Sequence, residues 1–245
     1  MSSTLGCLGL PMDDEAQLDA LIQRLLPDAP VIAEHEGYEA RRWTDTSGAS
    51  LTMTVRDGVL MDLVPSYVAQ VGARLGRLSA NGSCVTADVL EDGRPATRIA
   101  CELAQSLIAV APAAVDASVT ALGIDVTVHA DATAFACSDA SLLGGSGGTT
   151  PGEEPARFDA ESVLAYGLFG NGDIIEPLAV VCGTVLSSRS FVNAETEQRF
   201  HTARIRTVGF TATVCLDAHD HPTAPAPGNV VAGICYLVVD VPTLW

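Results

Sequence analysis

The densest set of side chains able to hold a metal ion is the run Asp217-Ala218-His219-Asp220-His221. Imidazoles two residues apart on an extended strand point to one face, so His219 and His221, joined by the carboxylate of Asp217, could share one divalent ion. The Pro222-Thr223-Ala224-Pro225 tract that follows reads as a surface loop, where His-Asp runs are ordinarily solvated. His129 and Asp131 form a second constellation, a base with a carboxylate to orient it. No G-x-S-x-G elbow accompanies them and no Cys–His partnership follows from spacing, so a hydrogen-bonded structural histidine is the simpler reading. Glu34 and Glu36 share one face of a predicted strand, but thirty acids in one chain make such coincidences expected. They give a glycosidase reading no support.

A third constellation interleaves cations and rings: Arg189, Phe191, Arg199, Phe200, Arg204, Arg206 and Phe210. Proteins that hold single-stranded nucleic acid use this composition, with rings stacking on bases and arginines following phosphates. Alternation places Phe200, Arg204 and Arg206 on one strand face. Either Phe200 is exposed as a stacking platform, or the arginines are drawn beside it into ion pairs with acids such as Glu195 or Glu197. The glycine-rich tract at 144–148 invites a phosphate-cradle reading, yet Pro151, Glu153, Glu154 and Pro155 follow it where a helix would have to open. A linker is the expected role.

The chain contains no lysine: all 13 basic residues are arginine, against 30 acids, for a net charge of −17. Schiff-base and pyridoxal-phosphate chemistry, the P-loop and protein-kinase catalysis all need a lysine amine and are excluded. The acidity argues against general binding to a DNA backbone and against anionic membranes. Hydrophobic residues make up 48% of the chain, enough for a real core. No stretch approaches the roughly 20 unbroken apolar residues of a membrane helix, and residues 1–11 lack a basic leader, so a cytoplasmic protein is expected. Seven widely spaced cysteines with no C-x-x-C argue against zinc-ribbon and thioredoxin sites; apolar neighbours predict buried, reduced thiols.

These side chains need a framework. Leu18, Leu21, Ile22 and Leu25 recur at helical spacing over 13–26, with acids at the start and Pro27 at the end. A period of two then takes over. Leu51, Met53 and Val55 lead through Asp57-Gly58 into a strand at 59–64, a predicted hairpin. Asp92-Gly93 marks a second, between 85–90 and a run through Ile99, Cys101 and Leu103, although 99–107 also reads as helix. Leu122, Ile124, Val126 and Val128 alternate as a half-buried strand, and Asp131 could cap a helix through Phe135. Short strands are expected at 178–191, 199–208, 210–216 and 230–241, joined by a turn at 193–197, Gly209 and a proline-rich loop. Residues 174–245 carry a net charge of only −2, from 6 acids and 4 arginines.

The tracts Val181-Cys182-Gly183-Thr184-Val185-Leu186, Arg204-Ile205-Arg206-Thr207 and Pro227-Gly228-Asn229-Val230-Val231 resemble an OB-type barrel, with Asn229 where aspartate is usual. Residues 4–70, with Trp43-Thr44-Asp45-Thr46-Ser47-Gly48, resemble a glyoxalase/bleomycin-resistance βαβββ module; the metal ligands that likeness implies are not matched here. As a whole the chain resembles uncharacterised proteins of high-GC actinobacteria, a likeness that implies no activity.

The sequence thus predicts an α+β protein: a mixed region at 1–143, a linker at 144–157, and a small antiparallel β-barrel at 158–245 with a short leading helix. The function it favours is non-catalytic binding or scaffolding through protein contacts, self-association included, with no cofactor. The alternatives are a single-stranded nucleic-acid-binding barrel, and a lysine-independent enzyme using His129 or a His219/His221 metal site.

Overall fold

Asp14 starts the first helix by accepting the Gln17 N–H at 2.9 Å, which satisfies one of the free donors at a helix N-terminus. The helix, α1 (Glu15–Leu25), buries Leu21, Ile22 and Leu25. It ends in a 3-10 turn, Leu26–Asp28, that accommodates Pro27. The computed structural model describes residues 3–12, 14–81, 84–104, 114–143, 156–169 and 175–242. The predicted linker at 144–157 lies outside them, apart from its last two residues.

Four antiparallel strands follow α1 in the order of the chain: β1 (Val31–His35), β2 (Tyr38–Thr44), β3 (Ala49–Arg56) and β4 (Val59–Tyr67). Asp57 (φ 52°) and Gly58 (φ 78°) make the β3–β4 turn, the left-handed pair that a two-residue hairpin requires. Ile22, Ala29 and Met53 pack together under this sheet, with Trp43, Leu60 and Leu63 at their border. The stretch expected as the first strand of a βαβββ module holds the 3-10 turn Gly6–Leu8 instead.

The second sheet has nine strands: β5 (Ala73–Asn81), β6 (Cys84–Glu91), β7 (Arg94–Leu103), β8 (Ala114–His129), β9 (Ser162–Leu164), β10 (Leu178–Val192), β11 (Arg199–Thr207), β12 (Phe210–Asp217) and β13 (Val230–Asp240). Their order is β11-β12-β8-β5-β6-β7-β13-β10-β9, with further pairings of β10 with β11 and β8 with β13. Asp92 and Gly93 again turn through positive φ between β6 and β7. The run at 99–103, which also read as helix, is strand because it pairs with β6 and reaches β13. The Asp131-capped helix, α2 (Ala132–Ala136), is five residues long, and the short leading helix after 158 is the 3-10 turn Tyr166–Leu168.

The chain is therefore predominantly β, with two sheets and few helices, where α+β was expected. The strands at 158–245, expected as a small barrel, belong to a sheet drawn from both sides of 144–157. β8 runs antiparallel to β13 from Ser118↔Asp240 to His129↔Val230, and parallel to β12 at Thr120↔Thr213. Burial explains these long-range contacts. β8 is covered on both faces from Ala117 to Gly123, so its backbone N–H and C=O groups are cut off from water there and must be paired by strands along both of its edges. Gly233 permits the close approach of β13 to β8: at φ 149°, a Cβ there would lie 2.1 Å from the Asp125 carbonyl oxygen.

Candidate functional site

β10, β11 and β12 form a short meander whose register decides which of the predicted residues meet. Arg189 stands opposite Thr202, Phe191 opposite Phe200, and Arg204 opposite Thr213. Paired residues in an antiparallel ladder project to the same face. One face of β11 carries His201, Ala203, Ile205 and Thr207, all buried. The other carries Phe200, Thr202, Arg204 and Arg206, and its cover thins along the strand.

Phe200 lies under the cover. It is 0% exposed, stacks on Phe191 with ring centroids 5.7 Å apart, and meets the ring of Tyr67 edge-on at 6.3 Å. Its surroundings include Leu8, Leu10 and Leu51, so it is a core side chain. Arg206, at the open end, makes a forked pair with Glu161, with contacts of 2.8 and 3.0 Å. These hydrogen bonds hold the Glu161 carboxyl below the usual range. Glu195, one of the acids considered as a partner, is engaged by Arg24 instead. Arg199 is exposed and projects with His201 to the opposite side.

Between these ends, Arg189 and Arg204 come together in a cleft of about 300 Å³ with Tyr67, Gln70, Thr202 and Thr213. The wall is the segment joining β4 to β5. Gly72 holds it against the meander: its N–H donates to Ala117 at 3.0 Å, and its carbonyl accepts the Thr211 N–H at 2.9 Å. A Cβ at Gly72 would fall 2.2 Å from the Thr211 hydroxyl, so only glycine allows this approach. Gln70 thereby reaches Arg204 and accepts a hydrogen bond from its guanidinium, which also donates to the Thr211 hydroxyl at 3.3 Å. Tyr67 is pushed above its ordinary value by burial, against the opposing influence of Thr202 and Arg189. Tyr67, Gln70, Thr202 and Thr213 carried no functional signal in sequence, because the first two arrive from the end of β4 and the link after it, more than 100 residues away.

The other candidates are placed as follows. β12 ends at Asp217, and 218–220 form a turn in which the Asp217 carboxylate accepts the His219 N–H at 2.8 Å. The strand geometry that would align His219 with His221 is therefore not formed. Among the described residues no three His, Cys, Asp or Glu side chains gather as a metal site. The carbonyl of His221 accepts from Nε2 of His201 at 2.9 Å, whose Nδ1 lies 2.8 Å from the Ser190 hydroxyl. His129 contacts the Thr127 hydroxyl at 2.9 Å and the edge of Phe135, while Asp131 faces away to cap α2 through the Ala134 N–H at 2.8 Å. The base and its supposed orienter do not meet. Burial pushes His129 below its ordinary value.

None of the seven cysteines forms a disulfide, and all but Cys137 are buried. Burial raises Cys7 and Cys182 to about 12. A thiol reagent at neutral pH should thus titrate about one group in the folded protein and all of them after denaturation. Several fast-reacting thiols in the native state would contradict this packing.

Comparison with protein-family models, curated proteins and solved structures finds no match to this chain. No helix of the described residues is long and apolar enough to cross a membrane.

Proposed function

We propose that the protein is a non-catalytic binding or scaffolding protein that works through protein contacts, and that its contact surface is the outer edge of β4. The carrying observation is the state of that edge. β4 is the last strand of its sheet, with β3 its one ladder neighbour among the described residues. Its second half is buried at Val64, Pro65 and Ser66, but its first half leaves Val59 61% and Met61 55% exposed. An edge strand presents unpaired N–H and C=O groups that accept a further strand, and natural edges are guarded by charge, proline or irregular pairing. Here Pro65 guards the half that is already covered. Val59 and Met61 make the exposed side of the first half apolar, while Asp62, which accepts the Leu63 N–H at 3.0 Å, and the β3–β4 register shift limit the length of ladder on offer.

The partner that tests this surface is a second copy, pairing β4 with β4 about a two-fold axis. Two chains of charge −17 repel, and salt screens that repulsion, so association should strengthen as salt rises. Sedimentation velocity across a concentration series at 0.05 and 0.5 M salt is expected to show dimer growing with both variables. The double substitution V59K/M61K should return the chain to monomer. Single-stranded nucleic acid is the second reading, and its support is that Arg189 and Arg204 share a cleft with an aromatic ring. Labelled single strands that bind at low salt and release steeply as salt rises would favour it.

A further inference from the structure

Seven of the thirteen arginines lie within ion-pair distance of a carboxylate among the described residues: Arg24, Arg41, Arg42, Arg74, Arg77, Arg98 and Arg206. In so acidic a chain that is the ordinary fate of a guanidinium. Arg189 and Arg204 depart from it. They share one cleft, no carboxylate lines that cleft among the described residues, and its remaining polar surface is hydroxyl and amide. Arg204 is already oriented by Gln70 and Thr211, which accept from its guanidinium without neutralising it. The floor is fixed as well. Arg189, Thr202, Arg204 and Thr213 are locked in ladder register, and Tyr67 is wedged between Phe191, Phe200 and the α-carbon of Gly48, where a Cβ would lie 2.9 Å from the ring.

Two positive charges held without a counter-charge beside hydroxyl donors form a receptor for an oxyanion. Guanidinium groups bind such oxygens through paired, charge-assisted N–H donors. Two cations favour a dianion over a single carboxylate, and the volume suits a small molecule. A polyanion is disfavoured because the chain's net charge of −17 repels its further phosphates, and Arg206 is already occupied by Glu161. We propose that this cleft binds a small dianionic oxyanion of the phosphate-monoester class, gripped between Arg189 and Arg204 with Thr202, Thr213 and Tyr67 supplying hydroxyl contacts. The cleft takes Tyr67 from the far end of β4 but does not draw on Val59 or Met61, so it does not rest on the proposed contact there.

The test is calorimetric titration of the full chain with inorganic phosphate and with phenyl phosphate, and separately with acetate and a short single-stranded DNA. Both phosphates should bind with one-to-one stoichiometry and more tightly than acetate or the single strand. R189A and R204A should each weaken phosphate roughly tenfold or more, the effect of losing one charge-assisted contact. R199A, on the opposite face, should leave it unchanged. In the unsubstituted protein, phosphate should also protect Arg189 and Arg204 from phenylglyoxal, a readout that does not depend on how the variants fold. Failure of phosphate to bind, equal affinity in the R189A/R204A double variant, acetate binding as tightly as phosphate, or the single strand binding more tightly would each overturn the assignment.

Discussion

Replacing Phe200 with alanine is expected to destabilise the protein by roughly 3–5 kcal/mol, the usual cost of emptying a buried phenylalanine site. The ring is fully buried between Phe191 and Tyr67 and beside leucines of the N-terminal turn and β3. The cavity has little freedom to collapse, since Gly9, at φ 70°, approaches the Phe200 ring so closely that a Cβ would stand 3.1 Å from it. Chemical denaturation should show a lower midpoint at unchanged slope. If Phe200 were an exposed platform for bases, the same substitution would cost less than about 0.5 kcal/mol. One measurement thus separates a core ring from a recognition ring.

The second large effect belongs to Glu102. This β7 carboxyl is 5% exposed, accepts the Tyr236 hydroxyl at 2.7 Å and faces Asp62 from the other sheet. Burial is the main cause that raises it from 4.5 to about 7; Asp62 adds to the shift and the Tyr236 hydrogen bond opposes it. The sign follows from proton binding. Between about 4.5 and about 7 the folded chain keeps a proton that the unfolded chain has released, so stability from this group is present at the acid end and lost as pH rises. The loss is on the order of 3 kcal/mol by pH 8. E102Q should therefore match the parent near pH 4.5 and exceed it by about that amount at pH 8, keeping an acceptor for Tyr236. Parallel stability curves for the two proteins would show that Glu102 does not titrate in this window.

What the sequence made legible was local. The Asp-Gly pairs placed both hairpins because their left-handed turns are a property of those two residues, and the spacing of Leu21, Ile22 and Leu25 placed α1. The strands of the second half fell where their turn residues put them. The sheet they join was not legible. β8 is buried on both faces over its middle, and alternation distinguishes faces but not edges, so it could not show which edge meets β12 and which meets β13; those partners lie about a hundred residues away. The same limit governs the site. Alternation placed Arg204 and Arg206 on one face, but the acid that captures Arg206 is Glu161, and Gln70 reaches Arg204 across 134 residues. At the histidine pair the backbone departs from the expected strand for a local reason: Asp217 closes a turn onto His219 ahead of His221.

The claim that β4 offers its edge to another chain is tested most directly by hydrogen–deuterium exchange of the backbone amides at 59–63. At 0.5 M salt, those of these amides that point away from β3 should exchange quickly in dilute solution and become protected as concentration rises, while the Asp92-Gly93 turn stays unchanged. V59K/M61K should abolish the concentration dependence. Exchange at 59–63 that is the same at every concentration, in a chain that nevertheless associates, would place the contact elsewhere and contradict the account; so would a chain that stays monomeric throughout.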